Sequence, residues 1–596
     1  MEREGHTAPV EPTDRPPPSA TDDLTPISAL TKMRVEPWRA ALSVGGDRSY
    51  AALFPVKAAD ILRTIEHGAT VDFAGDRAAT RCGRNHPIDP GDRPKVAAVI
   101  AADVAENKKA CLGRHAPGAT PLVRGSPLCI LSIGAVPKKN STKVRVIHDL
   151  SFPKGGDSIN GGIDDGSLDI SSFGHAARAV VELGRGCFLI KLDVEAAYKQ
   201  VPVRPEDWHL LGFEFDGQLY YERVLPFGLR SSCRLWELFA AALHFLCEKL
   251  PCKVRFRVVH YVDDFLFVVE PVSGPPPDAA AAALMRGATA LCEQLGVPMA
   301  TGPGKVEGPT TCLVFLGLEL DTVALEVRLS AGRLSELLQL IVEWQSRERA
   351  TIKEMQSLTG LLNFAGACVL PTRVYTRRLI NWTTRMSSLK RPDGRPAVGR
   401  HAPCRLTPAV KADIAWWAEF LPAWNGKSLL YERDWQEAPR IELFTDACES
   451  GFGGYFQGRW TAGAWRPEEQ ACAQRATKVS MPFYELRALV IAAATWGHLW
   501  ARKKITFRSD CMAAVSAIEE RRSRTDTQMH QIRTLDSIAA RCGFDYRAIH
   551  VAGALNDVAD VLSRHGDCQQ FRALRPQAAR HCCSPANPAL PTASDL

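Results

Sequence analysis

Val258-Val259-His260-Tyr261-Val262-Asp263-Asp264-Phe265-Leu266-Phe267-Val268-Val269 is the stretch that decides how the rest of the chain is understood. Two runs of β-branched and aromatic residues flank two adjacent aspartates, the pattern of a β-hairpin with the acidic pair at its tip. A relaxed two-residue tip uses glycine or asparagine, so Asp-Asp there points to chemistry. Neighbouring carboxylates against an apolar hairpin repel each other and partly protonate unless a cation lies between them. An isolated Asp-Asp also suits a solvated acidic turn. What separates the two is whether the chain supplies a third carboxylate and a grip for phosphates.

Upstream, Cys187-Phe188-Leu189-Ile190-Lys191-Leu192-Asp193 is an apolar strand ending in an acid, followed by a strand-to-helix turn that presents Tyr198. An aspartate in that place also suits a helix N-cap. If this strand lies beside the hairpin, Asp193, Asp263 and Asp264 meet at one sheet edge. Three hard oxygen ligands with room for phosphate oxygens suit two Mg²⁺ ions, or Mn²⁺, roughly 3.5–4 Å apart. Further upstream, Val136 to Asp149 has the pattern of two strands joined by a polar, basic turn. Lys138 and Arg145 would project from it, either as a solvated basic loop or to neutralise a triphosphate. Leu225-Pro226-Phe227-Gly228-Leu229-Arg230-Ser231-Ser232 leads into a helix through Trp236 and Phe239. Gly228 allows close approach of a base or sugar, and Ser231 is placed to cap the helix.

Asp193 with Ala197-Tyr198, the Leu-Pro-Phe-Gly-Leu turn, Tyr261-Val262-Asp263-Asp264 and Phe315-Leu316-Gly317 resemble, in order and spacing, a retroelement reverse transcriptase. Lys138 to Asp149 resembles the fingers hairpin of that family, and the likeness runs over roughly residues 121 to 380. It implies a right-hand polymerase with fingers, palm and thumb, and Asp193, Asp263 and Asp264 as metal ligands. It also implies that Lys138 and Arg145 bind the incoming triphosphate, that Tyr198 is the gate against a ribose 2′-hydroxyl, and that Gly228 lines the nucleotide pocket. Phe315-Leu316-Gly317 would be the primer grip, and Lys305 would protonate the leaving pyrophosphate. Val146 to Pro153 with Ser158-Ile159-Asn160 looks most like the DIRS-type retrotransposons, as does the helical block around Leu358 to Phe364.

A second set of acids follows. Ile441 to Cys448 is a strand reaching Asp446, Glu485 stands in the first turn of a helix starting at Tyr484, and Ile505 to Asp510 is another strand with an acid at its end. Asp560 lies on a late helix after His550 and Asn556. Glu485 equally suits the helix dipole, and Asp510 equally suits a cap. Four such acids in this order resemble the ribonuclease H fold, an α/β domain. The likeness implies that Asp446, Glu485, Asp510 and Asp560 hold two Mg²⁺ ions and direct water onto an RNA phosphodiester. In that family His550 would assist product release, while Asn556 positions its helix.

The 596 residues leave room for several domains, so the expected fold class is a multidomain α+β chain. The expected order is a disordered tail (1–30), a region without assigned role (31–120), reverse transcriptase fingers and palm (121–325), a mostly helical thumb and connection (326–435), a ribonuclease H-like domain (436–566) and a flexible tail (567–596). A hydrophobic content of 46% and charged content of 23% are ordinary for a globular protein, and a net charge of +7 permits a nucleic-acid partner without requiring one. No apolar run approaches a membrane span, and no signal peptide opens the chain. Eighteen scattered cysteines without a Cys-x-x-Cys pattern argue for reduced thiols and an intracellular place, cytoplasmic or nuclear.

The partners implied are an RNA template, a DNA or RNA primer, an RNA–DNA hybrid and deoxynucleoside triphosphates, with other element-encoded proteins possible. Arg373, Arg377, Arg378, Trp382 and Arg385 would carry the hybrid by its phosphates, or form an exposed basic helix face. The competing expectation is a decayed or domesticated retroelement protein that binds nucleic acid without catalysis.

Overall fold

The computed structural model describes residues 25–115, 118, 120–137, 142–154, 156–164, 166–168, 170–272, 277–366, 368, 370–424, 428–429, 435–436, 442–476, 481–523 and 525–581. They gather into two units, Met1–Ala176 with Phe188–Thr310, and Ala177–Cys187 with Thr311–Leu596.

The first unit holds two sheets. In the five-stranded one, Lys109–Arg114, Gln218–Glu222, Gly212–Phe215, β1 (Ile130–Pro137) and β2 (Val144–Asp149) lie in that order. β1 and β2 pair antiparallel as the sequence suggested, with Arg145 opposite Val136. Their connecting turn, Lys138 included, lies outside the described residues. The second sheet is antiparallel and four-stranded. β3 (Phe188–Asp193) sits between β6 (Glu307–Thr310) and β5 (Asp264–Val269), and β4 (Phe256–Tyr261) closes the far side of β5. Leu189, Ile190 and Leu192 are all buried, as expected of an apolar run inside a covered sheet.

The acidic hairpin forms with its tip one residue earlier than the sequence suggested. Asp264 pairs with Tyr261, so the tip is Val262-Asp263, and Asp264 already belongs to the ladder. The reason is the neighbour on the other side: Asp264 also pairs with Asp193 of β3, which draws it into the sheet. The strained residue is therefore Val262, at φ 57. A left-handed conformation costs a β-branched residue about 1–2 kcal/mol, and such strain persists only where surroundings enforce it. Here α1 (Ser232–Glu248) enforces it: buried Trp236 donates from Nε1 to the Val262 carbonyl at 2.8 Å. α1 buries Leu235, Trp236, Phe239, Leu243 and Leu246 at helical spacing. Ser231 precedes it but does not cap it. Its φ and ψ are already helical (−77°, −14°), and its hydroxyl donates instead to the Val71 carbonyl at 3.0 Å.

Residues 31–120 are not an appendage. Helix Val35–Ser43 buries Trp38, whose Nε1 donates to the Leu295 carbonyl at 3.1 Å, so this segment closes the same core as the second sheet.

In the second unit, Cys312–Phe315 and Leu318–Asp321 form a hairpin whose tip, Leu316-Gly317, is left-handed at both residues, at φ 48 and 83. Helices α2 (Val374–Ser388) and α3 (Pro408–Trp424) follow. Tyr375 stacks on Trp416 with centroids 3.6 Å apart, and its hydroxyl donates to the Arg533 carbonyl at 2.6 Å. β7 (Leu443–Ala447), β8 (Gly451–Phe456) and β9 (Arg459–Ala464) make an antiparallel sheet. α4 (Met481–Trp496) is buried from Phe483 onward and starts before Tyr484, with Pro482 in its first turn. β10 (Lys504–Ser509) and β11 (Asp545–His550) pair in parallel, with α5 (Asp526–Cys542) between them in sequence and α6 (Asp557–His565) after. Residues expected as a loose tail form helix Gln569–Leu574, which buries Phe571, and strand Ala579–Arg580, which pairs with β9. Residues beyond 581 lie outside the described set.

Candidate active sites

The end of β3 and the tip of the β4–β5 hairpin make the first site. Asp193 and Asp264 are cross-strand partners, and the Val194 amide donates to the Asp263 carbonyl at 2.9 Å, which fixes the tip against β3. Two lysines balance the acids. Lys305 Nζ donates to Asp193 Oδ2 at 2.5 Å, and Lys191 Nζ lies 3.6 Å from Asp264 Oδ1. Lys191 was not singled out in the sequence, although a lone lysine two residues before Asp193 in an apolar strand shares its face.

Burial raises the Asp263 carboxyl, and Asp193 raises it further. Burial also pushes Asp264 up to about 6, against the pull of Lys191 and with the push of Asp263 and Asp193. Asp264 Oδ1 is buried with no hydrogen-bond partner. Hard oxygen donors that repel one another, one of them orphaned, fit a hard divalent cation.

Asp193, Asp263 and Lys305 border a cleft of about 1020 Å³ whose wall also includes Arg145, Tyr198 and Phe227. The Arg145 guanidinium lies over the Phe227 ring at 4.6 Å, and the Tyr198 ring lies 5.1 Å from the same ring, tilted by 48°. Burial, with Cys233 adding to it, raises the Tyr198 phenol, which stays neutral. Phe227, quoted in the sequence but given no role, thus spaces the arginine from the tyrosine. Gly228 is placed differently from expectation. It is absent from the cleft wall, and at φ 106 a Cβ would stand 2.0 Å from the His148 carbonyl oxygen. Glycine is needed there to let β2 pass.

Beneath this wall runs a buried ion network. Glu222 meets Lys109 and His148, Lys109 meets Asp103 at 3.2 Å, and Asp103 accepts from Lys199 at 2.6 Å. Burial opposes ionisation of Glu222, but Lys109 and His148 outweigh it and hold its carboxyl at about 2.

The second site is tighter. Asp446 of β7, Glu485 of α4 and Asp510 after β10 present oxygens within 4.8 Å of one another, a convergence of three possible ligands not matched elsewhere among the described residues. Burial pushes Glu485 up to about 8, with Asp446 and Asp510 adding to it, and pushes Asp446 up to about 6. Neutral donors orient them: Ser563 Oγ to Asp446 Oδ2 at 2.7 Å, Asn556 Nδ2 to Asp446 Oδ1 at 3.4 Å, and Ser509 Oγ to Glu485 Oε2 at 3.1 Å. Asp560 stands outside the trio, bound by Arg564 at 2.7 Å, yet its charge contributes to raising Asp446. His550 Nε2 lies 3.1 Å from the Asp510 carbonyl oxygen. Three converging carboxylates, with Glu485 and Asp446 raised in proton affinity, fit a divalent cation. Ser563 and Ser509 carried no motif signal; Ser563 is recoverable only as one helical turn beyond Asp560.

The basic run of α2 is partly consumed by structure. Arg378 lies 3.3 Å from buried Asp413, and Trp382 is buried, donating from Nε1 to the Arg405 carbonyl at 3.0 Å. The exposed cations cluster nearby instead. Arg349 and Arg405 face each other across a two-residue strand pair, and Lys353, Lys390, Arg391, Arg395 and Arg400 are exposed in the same stretch of chain. Like charges directly opposite are destabilising, so this pairing suits a bound polyanion. Among the described residues no helix is long and apolar enough to cross a membrane.

Residues 137–281 match the family of reverse transcriptases (RNA-dependent DNA polymerases). Polyprotein P3 of Commelina yellow mottle virus is 21% identical over 397 residues, covering 65% of this chain and only 18% of that polyprotein's length. Among solved structures, the foamy viral protease-reverse transcriptase dRH in complex with double-stranded DNA is similar with a TM-score of 0.47 at 15% identity, over 81% of this chain and 74% of that one. The foamy viral protease-reverse transcriptase in complex with RNA/DNA hybrid gives a TM-score of 0.44 at 13% identity, over 86% of this chain and 62% of that one.

Proposed function

Starting from a reverse transcriptase domain at residues 137–281, we propose that this chain is the RNA-directed DNA polymerase of a retrotransposon, most like the DIRS type, with a ribonuclease H domain that degrades the RNA of the hybrid. The observation that carries the synthetic half is the register. Asp193 pairs with Asp264, and Asp193 and the tip residue Asp263 line a cleft that also holds Arg145, Tyr198 and Lys305. Asp193, Asp263 and Asp264 would hold divalent cations at the first site, and Asp446, Glu485, Asp510 and Asp560 at the second. When bound, such ions lower the charge on the phosphate and activate the attacking oxygen.

The chain's own groups do the rest. Arg145, steadied on Phe227, meets the triphosphate, a role the resemblance also implies for Lys138. Tyr198 fills the space under the sugar, so a 2′-hydroxyl clashes with its ring. Burial works against the Lys305 ammonium, but Asp193 outweighs it and raises its proton affinity. Lys305 therefore holds a proton at this wall, where a leaving pyrophosphate needs one. At the second site Ser563 and Asn556 hold Asp446 and Ser509 holds Glu485; apart from that site, Arg349, Arg405 and their exposed neighbours grip duplex phosphates.

The test is Mg²⁺-dependent extension of a DNA primer on an RNA template by the purified full chain. Extension that stops on chelation supports the proposal. A folded chain that binds the duplex and extends nothing would favour nucleic-acid binding without catalysis.

A further inference from the structure

Tyr198 sits on a single tight turn, Ala197–Gln200, and the next residue ties that turn down. Lys199 Nζ donates to both oxygens of Asp103, at 2.7 and 2.6 Å. Asp103 lies near the end of helix Arg93–Ala105 and is 7% exposed. Lys199 and Ala102 of that helix line the same cleft as Tyr198.

From Asp103 the ion pairs run inward. Asp103 Oδ2 lies 3.2 Å from Lys109 Nζ, and Lys109 meets its cross-strand partner Glu222. Glu222 Oε1 lies 2.8 Å from His148 Nε2. The far end reaches the rest of the wall. His148 stands three residues beyond Arg145 on β2, and its amide donates to the Phe227 carbonyl at 2.9 Å. The Phe227 ring in turn lies beside Tyr198 and under Arg145. Three segments distant in sequence, at Arg145 to His148, Tyr198-Lys199 and Glu222 to Phe227, are thus joined through Asp103 and Lys109.

Two ammonium groups and two carboxylates offset one another in this chain. Well-packed apolar side chains would hold such a core at least as firmly, so what buried ion pairs add is fixed direction. Lys199 is committed to Asp103 and is not offered to a phosphate in the cleft. Its effect falls on its neighbour instead.

We propose that Asp103 is a positioning residue for sugar discrimination: through Lys199 it sets the Tyr198 ring against Phe227. Lys109, Glu222 and His148 hold Asp103 to the strands that carry Arg145 and lead to Phe227. The assignment rests on the polymerase proposal above, and it gives the segment before residue 120 a part in the site. Without the tie the turn is free to shift, the ring leaves the space under the sugar, and a 2′-hydroxyl is admitted.

The test is the ratio of kcat/KM for a ribonucleotide to that for the matching deoxyribonucleotide, in primer extension by the full chain. Lys199→Met removes the tie but leaves Asp103 its contact with Lys109, and should raise the ratio about fivefold. Lys199→Arg keeps donors on the carboxylate and should hold the ratio near wild type. In a Tyr198→Ala background Lys199→Met should raise it no further, because the tie acts through that ring. An unchanged ratio in Lys199→Met, with both KM values raised alike, would make Lys199 a phosphate contact and overturn the assignment. A ratio that multiplies in the Tyr198→Ala background, or a Lys199→Arg as relaxed as Lys199→Met, overturns it equally. If Lys199→Met does not fold, Asp103→Asn, which keeps the side chain's shape, carries the same expectations. A wild type that extends no primer sinks the polymerase proposal instead. The ratio of Kd values for ATP and dATP on the primed template then decides the tie, and a ratio equal in wild type and Lys199→Met overturns it.

Discussion

Asp193, Asp263 and Asp264 are joined by Lys191 and Lys305, whereas Asp446 and Glu485, with Asp510 converging on them, are oriented by two hydroxyls and an amide. The first trio is balanced by fixed ammonium groups and opens on a wide cleft. The second converges within 4.8 Å and answers its own repulsion by holding a proton on Glu485. The difference matches what each would handle. A nucleoside triphosphate brings its own negative charge and needs cations already in place, while a single phosphodiester needs a close cage around the cation that activates water.

The largest effect that could break this comparison is removal of divalent cations. Chelation should abolish both primer extension and RNA cleavage, and activity surviving at either site would remove that site from the comparison. Next is Lys305→Ala, which should lower extension by about 10²-fold while RNA cleavage stays near wild type, since a positioned proton donor contributes about that much. Single-turnover incorporation measures it. Tyr198→Ala should then raise ribonucleotide over deoxyribonucleotide incorporation by about tenfold or more, read as a ratio of kcat/KM values.

A smaller effect concerns protons at the second site. Glu485, raised to about 8, is protonated in the metal-free fold at neutral pH. The stability it adds is complete below the ordinary carboxylate range near pH 4 and is lost as pH rises through about 8. A cation needs the ionised form, so Mg²⁺ binding should release a proton near pH 7 and tighten as pH rises. Calorimetry in buffers of different ionisation enthalpy reads that proton, and Glu485→Gln should remove it. The mildest change, Ser563→Ala, should lower RNA cleavage about tenfold and leave extension untouched.

Much of the architecture was legible because it rests on periodicity and punctuation. The apolar run at Phe188 to Asp193 and the paired runs around Asp263-Asp264 gave the strands, and the acids at their ends gave the site. What was not legible depended on register and on partners distant in sequence. Whether Asp263-Asp264 or Val262-Asp263 forms the tip is set by the pairing of Asp264 with Asp193, which no local pattern contains. Gly228 carried a true glycine signal, but its cause is the His148 backbone some eighty residues earlier. The basic helix face looked continuous until Asp413, from another helix, took up Arg378. Ser231 looked like a cap because its identity fits, and its backbone angles and its bond to the distant Val71 carbonyl deny it.

The central claim is that one chain carries two separate acidic sites, one making DNA and one cutting RNA. Asp263→Asn and Glu485→Gln, assayed side by side on a primed RNA template and on a preformed RNA–DNA hybrid, test it most directly. The account predicts that Asp263→Asn loses primer extension and keeps hybrid cleavage, and that Glu485→Gln does the reverse. Loss of both activities in either folded variant, or extension retained by Asp263→Asn, would contradict it.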